Sequence, residues 1–470
     1  MGSSAGNKLK SGIIKILTAN ILNMIFSLGT NFLLPKYVSI DSYAQIKTYQ
    51  LYVSYIAVLQ LGYSDGMYLK FGGKDIKSIP LKVMQEDIST LRVFQLGITI
   101  ASVIVACLFR EPILLLAAVA IFPQNIISYY KNLFQAVGTF GKYSRIMNYT
   151  TGATFLINFI LLFIVKTDSC YFYIFGYLML SVVLAGLLEF TCKKDLDVQF
   201  GVKGFSIANL VENIKSGILL LFANFSSILL TSMDRVFIKV FMDSVAFAQY
   251  SFAVSIESFL NVAVSPVTVT LYNYFCINKK IEDVIKIRDQ IVGFSSILIA
   301  CAFPVKFIIE IYLPHYTDSV NVVFLLFAAQ LFLIIVRSVY SNLYKAKKLQ
   351  NLYFKRMCIV IIAAFVLNYS CYLLLKQKEA FAIGTLLSAI LWFILSWIDF
   401  KEILFSLRSV LYIAIEVIAF LYTGCGMSSI IGCILYVIVT IAALAILMPN
   451  VLKSYFGIGM GLAQKVTQRH

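Results

Sequence analysis

The side chains with chemical potential in this chain are the few charged and amide residues set inside long apolar runs. Glu257 lies near the middle of a run over 246–272 and is the deepest acid. Arg337 lies about nine residues from the end of a run over 319–345, roughly 13 Å at 1.5 Å per residue. Arg92 sits about two turns inside 86–109, Asp234 and Arg235 toward the end of 213–241, and Lys15 near the start of 12–34. Asn20, Asn23 and Asn31 give the first run a polar stripe, and Asn224 with Ser226 and Ser227 gives another to 213–241. A charge inside hydrocarbon costs at least ~2.5 kcal/mol, so each ionisable residue is a candidate for function. A guanidinium such as Arg337 can grip an oxyanion through two parallel hydrogen bonds, with Lys131, Arg92 and Lys15 as further cations. Glu257 and Asp234 are the candidates for ion coupling, and the amides with Tyr130 and Tyr340 suit a sugar. Structural uses compete with each role. Lys15 can snorkel to an interface, and the polar stripe of 12–34 can be interhelical bonding. Asp234 can anchor a helix end, and its neighbour Arg235 points about 100° away, a poor geometry for an ion pair. Arg337 and Glu257 can form a buried pair.

These residues need a membrane scaffold to position them. The chain has 470 residues, 60% of them hydrophobic and 13% charged, with a mean hydropathy of +0.86. Soluble proteins are about 45–50% apolar and about 25% charged, so that class is excluded. Breaks at charged, Pro and Gly positions divide the sequence into fourteen predicted helices: 12–34, 44–64, 86–109, 112–137, 145–165, 170–190, 213–241, 246–272, 289–313, 319–345, 353–375, 380–400, 409–427 and 429–449. With the N-terminus inside, 28 of the 39 Lys and Arg fall on the cytoplasmic side and 9 on the other, leaving Arg92 and Arg337 within spans. This bias predicts that both termini are cytoplasmic. It also accounts for the net charge of +16 without a nucleic-acid partner. Nine cysteines form no CxxC pair and the two histidines, His315 and His470, are isolated, so no metal, cofactor or catalytic residue is expected. No stretch is long enough for an ATPase domain. Transport would draw on an ion gradient, the membrane potential or the substrate gradient.

Internal matches set the architecture. Tyr130-Lys131-Asn132-Leu133-Phe134-Gln135-Ala136 recurs as Tyr340-Ser341-Asn342-Leu343-Tyr344-Lys345-Ala346, an offset of 210 that also pairs Tyr143 with Tyr353 and Arg145 with Lys355. Tyr43-Ala44-Gln45 recurs as Phe247-Ala248-Gln249 at an offset of 204. These predict an all-α polytopic membrane protein of two six-helix lobes related by an axis along the membrane normal, plus two C-terminal helices. The expected organisation is a cytoplasmic tail (1–11), an N-lobe (12–190), a cytoplasmic linker (191–212), a C-lobe (213–400), a helix pair (401–450) and a cytoplasmic tail (451–470).

The segment Leu61-Gly62-Tyr63-Ser64-Asp65-Gly66 with Gly72-Gly73, and Met233-Asp234-Arg235 leading into Phe247-Ala248-Gln249-Tyr250, resemble bacterial polysaccharide flippases of the multidrug/oligosaccharidyl-lipid/polysaccharide transporter superfamily. Ala44 and Ala248 depart from the usual glycine after the aromatic. The resemblance implies a flippase, not an enzyme, that moves an undecaprenyl-diphosphate-linked O-antigen or capsule repeat unit from the inner to the outer leaflet by alternating access. It places the chain in the bacterial inner membrane among membrane lipids, with H+ or Na+ as candidate coupling ions and a polysaccharide polymerase and glycosyltransferases as candidate partners. An ion-coupled drug or cation antiporter and a lipid II flippase are the alternatives on the same fold. The antiporter typically needs a carboxylate in the N-lobe, and 12–34 has none.

Overall fold

The computed structural model describes residues 22, 24–196, 201, 204–277 and 280–455. Lys15, Asn20 and Asn23 lie outside the described residues, as does the side chain of Asn224. Of the described residues 89% are helical and none lies in a strand. Helix α1 covers 24–37 and is followed by α2 (Ile40–Ser54), α3 (Tyr63–Phe71), α4 (Leu81–Phe109), α5 (Pro112–Ala136), α6 (Phe140–Phe159) and α7 (Cys170–Leu196). Next come α8 (Ile207–Phe241), α9 (Ser244–Glu257), α10 (Leu260–Ile277), α11 (Ile281–Ile299), α12 (Ala302–Tyr312), α13 (Val320–Ile335) and α14 (Ser341–Ala346). The last are α15 (Gln350–Leu375), α16 (Glu379–Asp399), α17 (Leu407–Gly426) and α18 (Ser429–Leu447). Among the described residues, eleven helical stretches are long and apolar enough to cross a membrane. Leu108 on α4, Ile164 after α6, Leu374 on α15 and Ile446 on α18 are each at least 70% exposed, a surface made for lipid rather than water. The protein is an all-α polytopic membrane protein.

Several predicted spans are interrupted rather than continuous, and 145–165 ends in a π-helical segment, Ile160–Val165. The segment 44–64 becomes α2, a 3-10 turn over Ile56–Gln60, and α3. Leu61 (φ 50°) and Gly62 (φ 85°) make the joint in left-handed conformation, which glycine adopts at little cost. The segment 246–272 breaks at Ser258–Phe259, and 289–313 breaks after Ile299. The run 319–345 passes through a π-helical turn, Val336–Tyr340, that carries Arg337.

The glycines of the first break have a packing reason. A Cβ on Gly66 would stand 2.0 Å from the Asn213 carbonyl oxygen, and one on Gly217 would stand 2.0 Å from that of Gly62. Gly62, Gly66 and Gly217 therefore let the backbones of α3 and α8 touch.

The chain forms two compact units, Met1–Ser232 and Met233–His470, which divide inside α8. The sequence boundary at 212 would give all of 213–241 to the second unit. The glycine contact, together with Asn209 and Asn213, ties the first part of α8 to the first unit instead.

In the first unit α5 is the central helix, packed against α2, α3, α4, α6 and α7. In the second, α13 holds that place among α9, α11, α16 and α17. The two matched heptapeptides fall at corresponding ends of these central helices, with Tyr130 and Tyr340 fully buried. The final pair is locked in place. Phe303, Phe324, Phe420 and Tyr436 form one ring cluster across α12, α13, α17 and α18. Lys306 Nζ donates to the carbonyls of Gly424 (2.8 Å) and Met427 (2.5 Å), capping α17 where its dipole is negative.

A methyl group at the α3–α8 contact has no room to enter, because its neighbours are backbone. Gly217→Ala should cost about 1–3 kcal/mol or more by overpacking, seen as a lower melting temperature and several-fold less folded protein in membranes. Gly97→Ala, where nothing lies within 4 Å, should leave both unchanged.

Candidate functional site

The second unit concentrates the candidate ionisable residues along α8, α9, α10 and α13. Asp234, 4% exposed, is held by neutral donors. Tyr250 Oη donates to Oδ2 at 2.6 Å, Thr385 Oγ1 lies at 3.4 Å, and the Arg235 backbone N–H donates to Oδ1 at 2.7 Å. Among the described residues Asp234 and Arg235 form no ion pair, as their positions on one helix dictate. The site is a buried carboxylate facing hydroxyls from α9 and α16.

Glu257 is the last residue of α9, at the break in the span. It accepts a hydrogen bond from the amide of Gln330, itself 3% exposed on α13. One turn on, Arg337 Nη1 donates to Asn261 Oδ1 at 3.0 Å. Glu257 and Asn261 are four apart, and Gln330 and Arg337 seven apart, so two rungs join facing stripes of α9–α10 and α13. Thr268 Oγ1 with Ser338 Oγ (2.9 Å), and Asn342 Nδ2 donating to the Thr268 carbonyl (2.7 Å), continue the ladder. The direct Arg337–Glu257 pair allowed by the sequence is not formed. Arg337 makes no ion pair among the described residues, and its guanidinium sits beside the exposed Asn261.

In the first unit the predicted cations behave differently. Arg92 is engaged by Glu189 of α7, Nε donating to Oε1 at 3.1 Å and Nη2 to Oε2, while Nη1 donates to the Gly201 carbonyl at 3.0 Å. Its fork is filled by a carboxylate of the same unit. Lys131, half-buried near the end of α5, makes no hydrogen bond or ion pair among the described residues. Tyr130 packs on Tyr129 and Phe134, and Tyr340 on Phe393 and Phe400, each ring inside its own core. The structure thus brings Glu257 and Arg337 to one ladder, keeps Asp234 nearby on α8, and places Arg92, Lys131 and Tyr130 in the other unit.

Sequence reasoning missed a densely bonded buried acid. Asp87, fully buried, accepts from Tyr129 Oη (2.7 Å), Asn213 Nδ2 (2.8 Å) and Asn209 Nδ2 (3.2 Å), with Lys70 Nζ at 3.6 Å. A second buried chain runs from Gln60 through Asn125 to Gln95. A signal for part of this existed. Glu86-Asp87, Arg92 and Gly97 recur as Glu282-Asp283, Arg288 and Gly293 at an offset of 196. Arg288, 2% exposed, donates to the Ile403 (2.5 Å) and Leu404 (2.9 Å) carbonyls, so both arginines clasp chain that follows the sixth helix of their repeat. At the 210 offset Glu189 is matched by Asp399, which pairs with Arg356 at 2.5 Å.

With this geometry described, solved structures supply the comparison. The chain is similar to "Lipid II flippase MurJ, inward closed conformation", with a TM-score of 0.60 at 14% identity over 94% of this chain and 99% of that one. It is also similar to a multidrug resistance MATE family transporter of the MOP superfamily in an inward-facing conformation (TM-score 0.55, 16% identity, 83% and 95% covered). A third is a mutant of the Vibrio cholerae MATE transporter VcmN (0.53, 14%, 85% and 97%). The fold is that of these transporters. No protein-family model and no curated sequence matches the chain.

Removing the hydroxyl that faces Asp234 isolates a buried charge. Tyr250→Phe should destabilise the protein by about 1–3 kcal/mol, the cost of an unsatisfied buried acceptor, and Asp234→Asn combined with it should recover part of the loss. Thermal melts of the purified single and double variants check this.

Proposed function

We propose that this chain is a lipid-linked oligosaccharide flippase. It moves an undecaprenyl-diphosphate-linked glycan repeat unit of O-antigen or capsule type from the inner to the outer leaflet of the bacterial inner membrane, by alternating access, with both termini cytoplasmic. The observation that carries this reading is Arg337. It is a guanidinium on a π-helical turn, within a mostly buried helix, hydrogen-bonded to an amide and, among the described residues, with no carboxylate within ion-pair distance. Such a group is matched to an anion brought by the substrate, and a diphosphate satisfies its planar fork. π-turns inside α-helices recur at functional sites. Asn261 beside it offers an amide to the first sugar, and Lys131 is a second candidate cation that makes no ion pair among the described residues.

Glu257 and Asp234 are assigned to coupling, with H+ or Na+ as the ion. Glu257 ends a broken helix and, among the described residues, is hydrogen-bonded to the Gln330 amide and ion-paired to no cation, so a change in its charge is not cancelled within a salt bridge.

Two rivals share the fold. A drug or cation antiporter is disfavoured because the first unit spends its buried acids internally, Asp87 on Lys70 and the asparagines and Glu189 on Arg92. Lipid II as cargo is the second reading. It is favoured by one observation, that the similarity to the lipid II flippase spans 94% of the chain against 83–85% for the MATE transporters quoted above.

Arg337→Ala should nearly abolish surface glycan when tested by complementation of a flippase-deficient strain. Arg337→Lys should cost roughly 10–100-fold, since a charged hydrogen bond contributes about 1.5–3 kcal/mol and lysine cannot form the fork. Membrane protein level is measured alongside, and glycan loss matched by protein loss would assign Arg337 to structure. Normal glycan in Arg337→Ala would overturn the site. Glu257→Gln keeps an acceptor for Gln330, so protein level should hold while the pH dependence of transport flattens. An unchanged pH profile removes Glu257 from coupling.

A further inference from the structure

We infer that Glu416 is a proton-binding site in the C-terminal helix pair, a carboxylic acid held neutral between α17, α18 and α11. It lies nine residues into α17, about 13 Å along the helix axis, and is fully buried. An acid at that depth is a candidate for function by default, and this one stands on a different helix pair from Glu257 and Asp234.

Its surroundings are hydroxyls, not cations. Thr440 Oγ1 on α18 donates to Glu416 Oε2 at 2.9 Å. Tyr412, one turn earlier on α17, and Tyr436 of α18 stand beside the carboxyl with their side chains buried. Glu416 makes no ion pair among the described residues, and the charges of the packed helices are engaged or distant. Lys306 of α12 serves the Gly424 and Met427 carbonyls and lies 3.8 Å from Glu310. Arg288 of α11 is held by Asp289 and by the Ile403 and Leu404 carbonyls. Glu282, Asp283 and Lys286 of α11 precede Ser296 by ten residues or more. In α13 no residue is ionisable, and Arg408 is exposed eight residues before Glu416. Tyr455, beyond α18, gives its hydroxyl to the Gln290 carbonyl.

Hydrogen accounting locates the proton. Helix α11 breaks after Ile299, and the Ala300 N–H, which a continuous helix would give to Ser296, bonds Ile297 at 3.2 Å. The freed Ser296 carbonyl accepts from Tyr436 Oη at 2.9 Å. A tyrosine hydroxyl has one hydrogen, so toward Glu416 Tyr436 can only accept. Glu416 Oε1 receives no donor among the described residues, and Tyr412 Oη makes no hydrogen bond that would supply one. An ionised carboxyl would set a bare oxygen against the lone pairs of Tyr436, in a core where an uncompensated charge is costly. A proton on Oε1 turns that contact into a hydrogen bond, while Oε2 keeps the one from Thr440. A carboxylic acid kept neutral by an apolar site can serve as a donor. Here it joins α17 to α18 and, through Tyr436, to the broken end of α11.

Infrared spectra of the purified full chain at neutral pH, in H2O and in D2O, test this. Glu416→Gln should lose one C=O band of a protonated carboxyl, a band that moves to lower frequency in D2O, with the carboxylate bands unchanged. Thr440→Val removes the donor to Oε2 and should move the same band to higher frequency, which reads the site even where Glu416→Gln does not fold. Melting curves confirm that each variant compared is folded. Loss of carboxylate bands in Glu416→Gln, a shift of carboxylate bands in Thr440→Val, or no change in the C=O region of either would overturn the proton site. Carboxylate bands that are lost in Glu416→Gln and that shift in wild type when choline replaces Na+ would overturn it in favour of a metal cation.

Discussion

Inside hydrocarbon there is no water to satisfy a backbone N–H or C=O, and the whole structure answers to that constraint. A broken helix is therefore a local cost, and the chain meets it by tightening rather than opening. At 55–61 the N–H groups of Tyr55, Val58 and Leu61 bond three residues back, to Tyr52, Tyr55 and Val58. At the α9–α10 break Phe259, Asn261 and Val262 do the same, to Ile256, Ser258 and Phe259. Few donors are stranded. What the breaks gain is a change of direction and a side chain placed where a continuous helix could not put it: Gly62 against Gly217 in one unit, Glu257 against Gln330 in the other.

The two repeats solve one problem with different chemistry. Arg92 and Arg288 occupy matched positions and both clasp the chain after the sixth helix. Arg92 does so through a carboxylate of another helix with a backbone carbonyl, Arg288 through two carbonyls and a stack on Phe405 at 4.0 Å, its Nε and Nη2 being held by the adjacent Asp289. The aspartates five residues earlier diverge further. Asp87 is fully buried in a network that includes the start of α8, whereas its counterpart Asp283 lies in the first, partly exposed turn of α11. Duplication preserved the clasp and freed the aspartate. In the first unit it became the anchor for α8, the helix in which the two units divide.

Much of this was legible in the sequence because hydrophobicity and charge act over whole segments. Long apolar runs marked the helices, and the central roles of α5 and α13 followed the repeat at Tyr130 and Tyr340. The breaks were harder to read. Ser258–Phe259 carries neither Gly nor Pro, and a period-based reading cannot see a turn that keeps its hydrogen bonds. The depth of Glu257 was visible; its partner Gln330 was not, since an amide in an apolar run carries no charge to flag it. Asp87 escaped notice because it lies at the edge of its run, where an acid looks like an interfacial residue. Its burial depends on Asn209 and Asn213, more than 120 residues away in sequence. Arg92 shows the converse. Its depth marked it for function, but the carboxylate that fills its fork, Glu189, stands at the edge of a distant helix.

Arg92 and Arg337 together show how depth alone misleads. Both are arginines within spans, and both would be too costly if left unmatched. For Arg92 the match is permanent, two oxygens of Glu189 with geometry that leaves no outward face of the fork. For Arg337 the one hydrogen bond among the described residues goes to the side-chain oxygen of Asn261, a neutral acceptor that offsets a fraction of what an anion in contact would. Under the proposed function that shortfall has a use. A cation fully paired in the resting protein must break an ion pair before it can receive a phosphate, at a cost of several kcal/mol when the partner carboxylate stays behind in a poorly hydrated site. A cation held by an amide exchanges a weak acceptor for a strong one, and so gains on binding.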